Sequence, residues 1–169
     1  MSDTLAAALL DLVKSRLVTE YPRQLTRCLQ VLDEDDLWWR PNEQANAVGN
    51  LVLHLAGSNR HYLELVISGE PYARDREAEF LARGTRTKAD LLAVWADVTN
   101  RVARVLDRLT EARLNEPTSE QGRSVAQILL HVSHHNALHL GQIVWVTKMR
   151  RPGALHELLR TPPAPAPAP

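Results

Sequence analysis

Cysteine is nearly missing from this 169-residue chain, since Cys28 stands alone. A single thiol excludes an internal disulfide and a cysteine-based zinc cluster, and it fits a reducing cytosol. Net charge is missing too, because 20 Lys and Arg balance 20 Asp and Glu. A neutral chain has little to offer a polyanion, which argues against nucleic acid or an anionic membrane surface as partner. Long apolar runs are absent. Charged residues interrupt the N-terminal stretch MSDTLAAALLDLVKSR, so it has no secretory-signal core. No stretch reaches the roughly 18 apolar residues that a membrane helix needs. Three Ile and one Phe stand against 27 Leu and 20 Ala, a helix-forming balance with no alternating β-branched runs. These absences predict a cytoplasmic, all-α protein. What the chain has in excess is histidine: seven in all, four of them between His131 and His139.

Residues 1–160 suit one domain, and the tail 161–169 (TPPAPAPAP) reads as disordered or polyproline-like. Stop signals divide the domain into four long helical segments. The first spans about 3–32, with Ser2, Asp3 and Thr4 as cap candidates and Pro22 expected to kink or break it near Tyr21. The stretch 33–41 reads as a connector. The second segment starts at an Asn46 N-cap and runs to Ser68, where Gly69 and Pro71 stop it. A long link over 70–86 carries Arg74, Asp75, Arg76, Glu79 and Phe80. The third segment follows Thr87 and runs to about Leu114, with Leu91, Trp95, Val98, Val102, Val105 and Leu109 at helical spacing. The fourth opens on the capping box Ser124-x-x-Gln127 and runs to Arg150, where Pro152-Gly153 stops it. A short fifth helix fits residues 154–160. The pattern predicts a four-helix bundle with one crossover connection.

A helix advances about 100° per residue, so the direction of each histidine follows from its position. With His131 at zero, Ile128, Val132, Val125, Ile143 and Val146 fill an arc from about 60° to 120°, the expected core face. His135 at about 40° and His139 at about 80° point toward that face; His134 at about 300° points away and His131 sits on its border. Two imidazoles at i and i+4 lie one turn apart and can reach one ion at about 2.0–2.1 Å. Gln142, one turn further on, is placed to orient a ligand or a water. A lone inward histidine is more often a hydrogen-bonded core residue. A pair would need a separate partner for each ring, and that favours a metal. A further ligand must then come from another helix. The second segment offers the polar strip Asn50, His54, Ser58 and His61, with His54 at the border of its apolar face and His61 more exposed.

Other constellations carry less. Arg74 and Arg76 could clamp an anionic group, although paired surface charge is the commoner role for such residues. Trp38 and Trp39 fit the closing of the bundle end, and Trp145 on the outer edge of the fourth segment fits a dimer contact. Cys28 has no sequence neighbour that would activate it. HExxH, GxSxG and a phosphate-cradling glycine loop are all absent.

The stretches Asn46–Gly57 (NAVGNLVLHLAG), Arg74-Asp75-Arg76 with Glu79-Phe80, and His135–Lys148 (HNALHLGQIVWVTK) resemble the DinB-like superfamily of four-helix bundles, which includes YfiT-like metal-dependent hydrolases. The similarity covers about residues 3–150 and is nearest to a bacterial subgroup of unknown function. It implies that His54, His135 and His139 together hold one divalent ion, usually Zn or Ni, and that the protein forms a homodimer. It implies a metal-dependent hydrolase acting on a small molecule. The alternatives are a low-molecular-weight-thiol S-transferase, with bacillithiol, mycothiol or glutathione as cofactor, and a non-catalytic metal- or ligand-binding stress module. For the hydrolase, His61 and His131 are candidate bases. For the thiol version, Asn50, Arg74, Arg76 and Gln142 are candidate cofactor-binding groups. No carboxylate stands out as a base.

Overall fold

A computed structural model of the chain describes residues 4–156. The first expected segment forms as one long rod, α1 (Leu5–Lys14), a π-helical stretch (Ser15–Glu20) and α2 (Tyr21–Val31). Pro22 therefore does not break it. Its missing N–H and its ring are met by a widened turn, in which the Tyr21 N–H reaches the Arg16 carbonyl. The connector is partly helical: Asp33 and Asp36 form a reciprocal capping box on α3 (Glu34–Trp38).

The second segment comprises α4 (Val48–Asn59) followed by a second π-helical stretch (Arg60–Ile67). Its N-cap is Ala47 rather than Asn46, because Asn50 Oδ1 accepts the Ala47 N–H at 3.3 Å and supplies the cap from inside the helix. The link that follows contains α5 (Arg76–Leu81), capped by Asp75, whose Oδ1 accepts from the Ala78 N–H at 2.9 Å. α6 (Lys88–Asp107) starts at a Thr87–Asp90 capping box and stops before the expected Leu114, which sits in a 3₁₀ turn (Glu111–Asn115). α7 (Val125–Arg150) starts at the Ser124–Gln127 box as expected. Most of the expected fifth helix, and the tail, lie outside the described residues; Leu155 is buried.

The result is an all-α four-helix bundle. α2 packs on α6 and α7, and α4 packs on the same two, so α2 and α4 occupy one diagonal and α6 and α7 the other. The core is aliphatic: Leu25, Leu29, Leu55, Leu63, Leu91, Ile128, Leu129 and Ile143 are each almost fully enclosed. Cys28 lies within it, and burial pushes its thiol above the ordinary value, so it is inert. Trp38 closes one end by lying over Gly49, where an added Cβ would stand 2.8 Å from its ring. At the same end the last turn of α7 is tied back to α3, because the buried Asp36 carboxylate takes Arg150 Nε at 2.7 Å and Arg151 Nε at 2.6 Å. No described helix is long and apolar enough to cross a membrane.

Candidate metal centre

α4 and α7 are neighbours, and their facing sides bring His54, His135 and His139 together. His135 Nε2 lies 3.0 Å from His54 Nε2 and 3.1 Å from His139 Nε2. A tetrahedral ion with nitrogens at about 2.05 Å would set such atoms roughly 3.3 Å apart, close to what is seen.

The second nitrogen of each ring faces a different group. His54 Nδ1 meets Glu79 Oε2 at 3.0 Å, His139 Nδ1 meets Gln142 Oε1 at 2.7 Å, and His135 Nδ1 faces Ser58 Oγ at 3.5 Å. Glu79 and Gln142 Oε1 accept only, so His54 and His139 carry their protons on Nδ1. That leaves the Nε2 lone pairs of His54 and His139 both turned toward His135 Nε2, which has at most one proton to share between them. A cation between the three rings would satisfy all three nitrogens, and outward hydrogen bonds of this kind fix ligand tautomers in metal sites.

The burial of the three rings departs from the wheel reading. His54 is the most enclosed, at 5 % exposure, while His135 and His139 are half-buried. The wheel sees only a residue's own helix, whereas the cover over His54 comes from α5. The Phe80 ring lies 4.7 Å from the His54 ring and Glu79 is hydrogen-bonded to it. Glu79 is the functional residue that sequence reasoning passed over. Its link reads as a loop, and the available signal was Asp75 as a cap, with Glu79 four residues on and Arg74 just before. Arg74 Nε and Nη2 each reach a Glu79 carboxylate oxygen at 2.7 Å, a bidentate pair. Burial raises the Glu79 carboxyl, but hydrogen bonds from His54 and Arg74 and the Arg74 charge outweigh it, leaving it below its ordinary value. It stays a carboxylate and holds His54.

The other candidates fall into two groups. Asn50 is fully buried. Its Nδ2 donates to the carbonyls of Glu79 and Ala82 at 2.9 and 3.0 Å, and its Oδ1 accepts from Arg40 at 2.8 Å. It therefore anchors the link to α4, with no donor free for a cofactor. Arg74 is likewise occupied by Glu79, and Arg76 lies over the Phe80 ring at 5.0 Å. His61 and His131 belong to a row of rings leading to the site. His61 to Tyr62 is 4.9 Å, Tyr62 to His131 is 4.9 Å, and His131 stacks on His135 at 5.9 Å. His61 Nε2 also stands 3.9 Å from Glu120 Oε2.

Burial, reinforced by the neighbouring His139, His54, His131 and Arg74, pushes the metal-free His135 down to about 3. Burial also lowers His139, against its bond to Gln142. The folded state thus takes up fewer protons than the unfolded chain between pH 6.5 and 3, and stability follows that difference. The metal-free protein should be at full stability above about pH 6.5 and lose it steadily as pH falls toward 3. Thermal melts in chelator across this window, compared with His135→Gln, test the expectation; the variant should show the shallower slope.

A profile of the family described as "Protein of unknown function (DUF1572)" matches residues 4–162. Two solved structures share the fold. A DinB-like protein of Bacillus subtilis, YjoA, is 17% identical with a TM-score of 0.65, over 82% of this chain and 92% of that one. A DinB-like protein of Bacillus cereus is 15% identical with a TM-score of 0.65, over 89% of this chain and 95% of that one. No curated protein matches.

Proposed function

The chain belongs to the DUF1572 family of proteins of unknown function and its fold is DinB-like, and from that premise we propose that it is a cytoplasmic metal-dependent enzyme, a hydrolase of a small molecule. The observation that carries the reading is the convergence of three Nε2 atoms whose opposite ring nitrogens face separate groups. Three neutral nitrogen donors suit zinc or nickel, and a protein that supplies only three leaves coordination positions open, as catalytic sites do. The ion would supply Lewis-acid activation of a water or of a substrate carbonyl.

The protein's own groups do the positioning. Glu79 and Gln142 hold His54 and His139 in the tautomer that presents Nε2. His131, stacked on His135 from outside the triad, is the candidate for moving a proton. Burial, Arg123 and His134 hold it below the ordinary histidine value, which leaves it neutral and able to accept one at pH 7. The thiol-transferase alternative has less support, because Arg74 and Asn50, the groups that would hold a thiol cofactor's carboxylates, are engaged within the protein.

Metal analysis of the untagged protein tests the premise, and one equivalent of zinc or nickel is expected. Chelation should lower the melting temperature, because the ion binds the native state alone. The low value of His135 keeps that ring available below pH 6, so the chelator effect should persist at pH 5.5. A protein that is isolated metal-free and resists reloading with zinc and nickel defeats the reading. Loss of turnover on small esters and amides in His131→Gln, with metal content unchanged, separates a proton-transfer role from a structural one.

A further inference from the structure

A second concave site lies about a third of a turn around α4 from the metal ligands. Leu53, Ala56, Gly57 and Arg60 of α4 form one wall, the 72–86 link with α5 closes over it, and Val94 and Val98 of α6 complete it. The cavity holds about 710 Å³, within the roughly 300–1,000 Å³ of small-molecule sites. Its floor is aliphatic, and Leu81 stands at its rim with 61 % of its surface exposed.

The polar groups in the wall are not equivalent. Asp75 caps α5 through Oδ1, Asp97 binds Arg101 at 2.7 Å, and Glu79 is held by Arg74 and His54. Arg60 differs from these. Its Nε is fixed by the buried Glu64 at 2.9 Å and its guanidinium lies 4.0 Å over the Tyr72 ring. It is immobilised on two sides while both terminal nitrogens stay without a hydrogen-bond partner among the described residues. Arg86, also in the wall, makes no side-chain hydrogen bond or ion pair there. A guanidinium fixed by an inner carboxylate and an aromatic face is a preorganised fork for a carboxylate. The π-helical stretch begins at this residue, and such stretches often mark functional positions.

We propose that this cavity is a binding site for a small amphipathic carboxylate, whose apolar body lies on Leu53, Val94 and Val98 and whose acid group pairs with Arg60. The site touches the metal centre only through Glu79, which lines the cavity and hydrogen-bonds His54, and its occupancy does not depend on metal.

Octanoate is the probe, with 1-octanol and octylamine as controls, titrated into the full chain by calorimetry and by amide chemical-shift mapping. Octanoate should bind with shifts clustered on residues 53–60 and 94–98, and each control should bind at least about tenfold more weakly. Arg60→Met should lose that preference. Val94→Trp, which fills the cavity and leaves Arg60 and Glu64 in place, should abolish octanoate binding. Metal content should match wild type in both variants, so a failed metal premise leaves this outcome readable. Equal affinity for octanoate and octanol, shifts elsewhere on the bundle, or binding undiminished in Val94→Trp would overturn the proposal.

Discussion

His135→Ala is expected to leave a folded bundle that no longer retains a divalent ion. His135 is the middle of the three donors: its Nε2 is within 3.1 Å of both partners, and its removal leaves two nitrogens on different helices. Loss of a group that merely orients a ligand already costs about 10–100-fold in affinity, so loss of the central ligand should exceed about 100-fold. Competition with a chromophoric chelator measures this. Retention of one equivalent at wild-type affinity would dismiss the triad as a site. The metal-free variant provides an internal check. In the wild type this ring is held neutral well below its ordinary range, so folding works against protonation in mild acid. Alanine removes that opposition, and the gap between wild-type and variant melting temperatures should narrow as pH falls.

Gly57→Ala should be nearly as damaging, although no ligand changes. A Cβ there would collide with Glu79 Oε1 and lie 3.1 Å from Arg74 Nε. The carboxylate cannot swing aside, because Arg74 grips both oxygens and His54 bonds one of them. Displacing it breaks a largely buried ion pair, at about 3 kcal/mol or more, and frees His54 from its orienting partner. The melting temperature should fall by roughly 6–12 °C, and metal affinity by about 10–100-fold. Gly141 of α7 is the control. Nothing lies within 4 Å of its Cβ position, so Gly141→Ala should stabilise by about 0.5–1 kcal/mol through helix propensity. Two identical substitutions should thus move stability in opposite directions; a neutral Gly57→Ala would overturn the claim that Arg74 and His54 hold Glu79 rigidly.

Sequence and structure part where a neighbouring element decides the outcome. The capping boxes at Thr87 and Ser124, and the apolar face of α6, are local, and each is found where its pattern lies. The pairing of His135 with His139 is also local, because i and i+4 share a helix face whatever else the chain does. The burial of His54 depends on α5, a six-residue helix hidden in a charged link, and nothing in α4 announces that cover. Asn50 looked like a polar group available to a ligand. Its partners are carbonyls some thirty residues away, and no spacing rule connects them. A Pro22 expected to kink or break the first segment is carried through by a π turn, a geometry that a single helical repeat does not anticipate.

The tether between Asp36 and the last turn of α7 has a consequence in time. It joins positions 114 and 115 residues apart, and the histidine contact between α4 and α7 spans 81. During synthesis the first three rods emerge with His54 already present but with neither of its partners. Nothing can be chelated between α4 and α7 until α7 has left the ribosome and docked. Long-range closures of this kind are the slow steps of folding. Any ion held by the three rings would be acquired only after α7 has docked, and a nascent chain stalled before α7 would present His54 without either partner.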